Sequence, residues 1–262
     1  MIQNRLYTTQ LQAGLGLIQE TQTLLNLWEP GVDTTTLSRM VLESGQFPNV
    51  SARRLRNVVM ECFAPRYLCE NAQPASLLKE LGNVLSPADI QQLLFRYTCR
   101  ANAILRDFVT QVYWPHYATG HDTLHLDQAR EFVIRANQSG KTTRLWSEST
   151  VKRVSSYLLG CCTDFGLLEK GRGNLRKMVP YHCRPTVACV IAYDLHFAGV
   201  GDNGIMAHPD WELFALERHE VLDLLKRLAL RGLLILQAAS NVVRISWNCQ
   251  NMEELRYALN EG

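Results

Sequence analysis

The sequence predicts a mainly α protein: an N-terminal helical bundle followed by winged helix-turn-helix-like units with short β-hairpins. Three observations carry this. Apolar residues recur at three- and four-residue spacing through most of the first 120 residues, the period of helices that bury one stripe. From residue 144 a Ser-rich start leads into another such helix, then Phe165-Gly166-Leu167-Leu168, then a glycine-punctuated basic hairpin. The order helix, glycine, strand, short turn, strand returns near the end of the chain, which suggests three parts: 1–120, 121–184 and 185–262.

In the first part, residues 10–27 read as one helix with Leu11, Leu15, Leu17, Ile18, Leu24 and Leu25 on its stripe, stopping before Glu29-Pro30-Gly31. Asp33 is placed to cap a second helix and Ser51 a third. The third, ARRLRNVVMECF, should end at Pro65. Arg53, Arg54 and Arg56 crowd its first turn, where cations oppose the helix dipole, so they are candidate contacts to phosphate or to an acidic partner. A short helix at 74–84 precedes a long one, with Ser86 as cap and Pro87 in the first position. The pattern carries this helix to Pro115, with Arg100, Arg106 and Asp107 as candidate ion-pairing groups.

His116, His121 and His125 fall in ten residues, but the spacing is not that of a helical metal pair and no carboxylate or cysteine set completes a shell. Ser139-Gly140-Lys141-Thr142 resembles the end of a phosphate-binding loop, yet Arg135 stands where that loop needs glycine. No cofactor or metal is expected. The eight cysteines (62, 69, 99, 161, 162, 183, 189 and 249) form no CxxC pair and read as reduced thiols, mostly in the core.

The helix of 121–184 should bury Val151, Val154, Ser155, Leu158 and Cys162, turning Lys152, Arg153 and Ser156 outward. Gly166 ends it, and residues 167–170 and 175–179 read as the two strands of a hairpin turning at Gly171-Arg172-Gly173-Asn174. Between Lys141 and Arg184 nine cations meet three anions, a net +6, whereas the whole chain is +2. Positive charge gathered in this way suits a phosphate surface. The candidate nucleic-acid-binding residues are therefore Arg53, Arg54, Arg56, Lys141, Arg144, Lys152, Arg153, Ser156, Arg172, Arg176 and Lys177.

After Pro185 an apolar helix, a polar loop, a helix capped by Asp210 and an amphipathic helix at 218–230 are expected, then the strands LLILQA and VVRISW and a closing helix, MEELRYAL. The apolar strands and few cations suggest that this last part packs against something. No apolar run approaches the roughly 20 residues of a bilayer-spanning helix. The first ten residues hold no apolar signal core, so a cytoplasmic chain is expected. No G-x-S-x-G, H-E-x-x-H or G-x-G-x-x-G set is present, and the expectation is a non-enzyme.

Three segments, ARRLRNVVMECFAPRYL, LLFRYTCRANAILRDFVTQVYW and LWSESTVKRVSSYLLGCCTDFGLL, resemble the BrxA family of BREX phage-defence systems over about residues 9 to 180. Leu105-Arg106-Asp107-Phe108 and Ser147-Glu148-Ser149-Thr150 are the most specific parts. The resemblance implies an N-terminal bundle similar to a NusB-type RNA-binding factor, a winged-helix portion and double-stranded DNA as partner. It also implies work beside a methyltransferase, an ATPase and a phosphatase-like protein. After about residue 185 the chain departs from the pattern. The alternative readings are a docking adaptor in the defence complex and a sequence-specific repressor, the latter poorly supplied with base-reading side chains.

Overall fold

The computed structural model describes residues 5–171, 173–239 and 242–261. Helices dominate it, and two two-stranded antiparallel sheets complete it. The chain divides into two units, one of residues 1–76 and 94–181, the other of 77–93 and 182–262.

In the first unit the expected caps start the helices. Asp33 accepts the backbone N–H of Thr35 and Thr36 at the head of α2 (Thr34–Glu43), and Ser51 accepts that of Arg54 at the head of α3 (Ala52–Asn57). The helix before them is shorter than its pattern. A 3₁₀ turn at Gln10–Ala13 is followed by non-helical residues, and α1 covers only Ile18–Leu27. Gly14 is extended and Leu17 is left-handed. The break is held from outside: Arg54 Nη1 donates to the carbonyl of Ala13, Arg66 to those of Gly14 and Leu15, and Asp164 accepts the N–H of Gly16. Four backbone groups that a helix would have used are thereby satisfied by side chains distant in sequence.

Pro65 does not end the third helix. A π-helical stretch, Val58–Phe63, carries it into α4 (Ala64–Tyr67). Proline lacks the N–H that would bond the carbonyl of Glu61, and Gln10 Nε2 donates to that carbonyl instead at 3.1 Å. The same device recurs later. After α5 (Gln73–Leu81), α6 (Pro87–Ala101) starts at Ser86 as expected, its cap taking the N–H of Asp89. The expected single helix then breaks at Asn102, whose backbone leaves helical angles and whose amide donates to the carbonyl of Thr98. It resumes as α7 (Ala103–Phe108), widens into a π-helical stretch at Val109–Tyr113, and passes Pro115 in α8 (Trp114–Ala118).

The core of this unit is aromatic and aliphatic: Phe63, Tyr67, Phe95, Phe108, Tyr113 and Phe165 are fully buried. Helix α9 (Leu126–Gln138) and α10 (Glu148–Asp164) pack against each other within it.

In the second unit α11 (Pro185–Phe197) is mostly apolar, and Val187 through Leu195 are all buried, Asp194 among them. Around it stand α12 (Asp202–Met206), a 3₁₀ helix at Pro209–Phe214, α13 (Arg218–Leu230) and α14 (Met252–Glu261). Two details depart from expectation. The polar loop after residue 199 contains α12, and the 3₁₀ helix is capped by His208, which accepts the N–H of Asp210, while Asp210 itself is buried. Glu217 and Glu220 make a capping box for α13. At the head of α11, Gln92 donates to the carbonyl of His182 and accepts the N–H of Arg184, whose guanidinium meets Asp89.

Candidate nucleic-acid interface

The site starts with the packing of α10. Ser147 caps it, and Val151, Val154, Ser155, Leu158, Leu159, Cys161 and Cys162 are buried. The 3.6-residue period then sets Lys152, Arg153 and Ser156 in solvent, as expected. The Ser156 hydroxyl donates back to the carbonyl of Lys152, which leaves its oxygen as an acceptor.

The connection from α9 to α10 is fixed by Asn137. Its Oδ1 accepts the N–H of Trp146 at 2.8 Å and the Thr142 hydroxyl at 3.1 Å, and its Nδ2 donates to the Trp146 carbonyl at 3.0 Å. The same turn is tied to the N-terminal segment, where Tyr7 N–H donates to the carbonyl of Lys141 and Thr143 N–H to that of Tyr7. Tyr7 in turn donates to Asp107, which also holds Arg106 at 2.8 Å. Burial, then the Asp107 hydrogen bond, push the Tyr7 hydroxyl well above the usual phenol range, so it stays a donor. The Asp107 of the Leu105-Arg106-Asp107-Phe108 motif thus braces the turn that leads into α10. Asn137→Ala removes all three bonds at a half-buried position, and a loss of roughly 2–3 kcal/mol is expected in denaturant unfolding; a loss under about 0.5 kcal/mol would show that the turn holds without it.

The hairpin differs from its expected form. Strand β2 covers Leu175–Lys177, and its partner is β1 (Thr123–His125), in the stretch that holds His116, His121 and His125. The register sets Leu124 opposite Arg176. Residues 167–169 form a third, partial strand: Leu168 bridges Met178, Glu169 N–H donates to the carbonyl of Lys177, and Val179 N–H to that of Leu167. Leu124, with no measurable exposure, accounts for β1, since three residues can hold a strand when the central side chain fills the core. His125 also caps α9 in a capping box with Gln128, and the ring of His116 stacks on that of His121 with centroids 4.0 Å apart.

The cations fall into distinct settings. Lys152, Arg153 and Arg144 are exposed. Arg176 is half-buried, its Nη1 donating to the carbonyl of Gly173 at 2.8 Å, and Lys177 pairs with Glu169 at 3.0 Å. Lys141 lies over the ring of Tyr7 at 5.8 Å. Arg172 lies outside the described residues. Between α10 and the hairpin a cleft of about 380 Å³ opens, lined by Ser156, Gly160 and Thr163 on one side and by Lys170, Asn174 and Arg176 on the other. On α3, Arg53 and Arg56 are exposed, whereas Arg54 is engaged with Ala13.

Of the eight cysteines only Cys69 is exposed. Burial pushes Cys161 up to about 12 and raises Cys62 and Cys162 as well, so these are neutral thiols at pH 7.

Asn137, Asp107 with Tyr7, and Asp164 with Gly16 are the positioning contacts that sequence reading missed. Each is a polar side chain on a helix whose partner lies elsewhere in the chain. The one trace they leave is a polar residue on or beside an otherwise apolar stripe.

These features define a class: a mainly α protein of two helical units, the first bearing a helix with Lys152 and Arg153 exposed on it beside a small antiparallel sheet. Within that class, the chain belongs to the BrxA family, whose model matches residues 5–194. Membership makes it a component of BREX phage-defence systems. No curated protein matches the chain. Among solved structures it is similar to an uncharacterized protein from Magnetospirillum magneticum, with a TM-score of 0.57 and 14% identity, covering 79% of this chain and 97% of that one. At that identity the likeness is one of fold.

Proposed function

We propose that the protein is a non-enzymatic accessory component of its defence system that binds double-stranded DNA in the cytoplasm, with the part at residues 121–184, preceded by α8, serving as a winged helix. The observation that carries this reading is the order α8, β1, α9, α10, partial strand, β2, with Lys152 and Arg153 exposed on the second helix of the α9–α10 pair. In a winged helix that helix enters the major groove and the hairpin tip runs along the backbone. On this reading Lys152, Arg153 and Ser156 meet the groove, Arg176 and Lys177 the phosphates beside it, and Lys141 and Arg144 the flank at the turn. Arg53 and Arg56 extend the basic surface on the bundle. The neighbouring methyltransferase, ATPase and phosphatase-like components would be its protein partners. Among the described residues no helix is long and apolar enough to cross a membrane.

Titration of a short DNA duplex by fluorescence anisotropy at several salt concentrations tests the proposal, with an RNA duplex of the same sequence beside it. The expected result is tighter binding to DNA and a log–log salt slope of about −0.9 for each phosphate neutralised. Equal affinity for both duplexes, or no binding at low salt, would remove the reading.

A further inference from the structure

Near its end the second unit forms a hairpin whose two edges are treated differently. Strands β3 (Leu234–Ala239) and β4 (Val242–Trp247) pair antiparallel, with Leu236 opposite Ile245 and Ala238 opposite Val243. In such a pair alternate residues turn both backbone groups toward the partner strand or away from it. On β4 the residues turned away are identified by their bonds: Ile245 N–H donates to Asp202 Oδ2 at 2.9 Å and Val243 N–H to Asn203 Oδ1 at 3.3 Å. The first residues of α12 therefore close that edge.

The register then fixes the other edge. Leu236 and Ala238, opposite Ile245 and Val243, must turn their N–H and C=O groups outward from β3. Among the described residues nothing hydrogen-bonds to them there. The edge also lacks the usual protections, since the strand LILQAA has no charged residue and no proline. Its solvent face adds apolar surface, with Ile235 55% and Val242 63% exposed.

We propose that the free edge of β3 is an interaction surface whose occupant is the same strand of a second copy of this chain, giving a four-stranded antiparallel sheet across a two-fold axis at Leu236. The strand suits itself in each respect that pairing requires. About that axis Leu236 faces the second copy's Leu236, and the two exchange both N–H···O bonds. Ile235 falls beside the second copy's Gln237, an uncharged pair. The nearest charge on the solvent face is Arg244, across from Gln237. The two copies of Arg244 would stand three strand spacings apart, roughly 14 Å, beyond a screening length of about 8 Å at physiological salt. Such an interface is isologous and closes on itself. A foreign segment would have no charge on β3 by which to be selected.

The test is sedimentation equilibrium of the full chain across a wide concentration range, with Ala238→Pro and Ile235→Lys beside it. The Ala238 N–H points away from β4, so proline removes no bond within the hairpin. Ile235→Lys sets two like charges next to the axis without touching the core. Wild type should dimerise reversibly, and each variant should raise the dissociation constant by at least about 10-fold while keeping the wild-type unfolding midpoint at dilutions where all are monomers. Hydrogen exchange on the wild type gives an independent reading: the amides of Leu236 and Ala238 should be protected at high protein concentration and exposed on dilution. A wild type that stays monomeric throughout, or an Ala238→Pro chain that dimerises as wild type does, would overturn the proposal and leave the edge to another partner.

Discussion

Replacing Lys152 and Arg176 together by alanine is expected to weaken binding to every DNA duplex by a similar factor and to flatten the salt slope by about two units, one for each phosphate that goes without its cation. The argument is electrostatic. Lys152 stands exposed on α10, and Arg176 lines the cleft with its guanidinium oriented by the carbonyl of Gly173. Among the described residues neither is held in an ion pair, so both charges are available to a phosphate. Charge reversal at both positions should go further and abolish measurable binding at physiological salt, because attraction becomes repulsion at two points on the surface. Lys177→Ala should matter less, since its ammonium already meets Glu169 at 3.0 Å. Unchanged affinity and slope in the double variant would place the DNA elsewhere on the molecule. An effect confined to one sequence would instead indicate base reading.

Arg66→Ala should lower stability by roughly 3–5 kcal/mol. Its side chain is 3% exposed, and its two terminal nitrogens donate to the carbonyls of Leu15 and Gly14. Truncation strips a buried carbonyl and a part-buried one of charged donors and leaves a cavity of side-chain size, and both effects act in one direction. Arg53→Ala, one helix earlier and exposed, should change stability by no more than about 0.5 kcal/mol. Denaturant unfolding of the two variants checks the contrast. A loss below about 1 kcal/mol for Arg66→Ala would mean that residues 14–17 find other partners.

Part of the candidate interface is legible in the sequence. The outward set on α10 follows from helical period alone, and Asp33, Ser51 and Ser86 cap where a short acceptor side chain precedes a helix-period run. The use made of each cation could not be read. Arg54 and Arg53 are neighbours in sequence with the same propensity and charge, yet only Arg54 has a carbonyl within reach, that of Ala13, forty-one residues away. Lys177 and Arg176 differ likewise because β2 alternates its faces, setting Lys177 near Glu169 and Arg176 in the cleft.

The fold divides along the same line. From the sequence by itself came the mainly α class, most helix starts, the buried stripe of α10, the basic segment and the apolar strands near the end, because each depends on residues within a turn or two of one another. The tertiary structure decided the rest. Pro65 and Pro115 lie inside helices because π-helical stretches precede them, and at Pro65 a distant glutamine takes the orphaned carbonyl. Residues 14–17 leave the helix because arginines and an aspartate elsewhere satisfy their backbone more fully than a helical turn would. Strand β1 exists because Leu124 fills the core. In every one of these cases a local preference of about 1–3 kcal/mol yields to long-range hydrogen bonds and burial of equal or greater size, interactions that only the folded chain brings together.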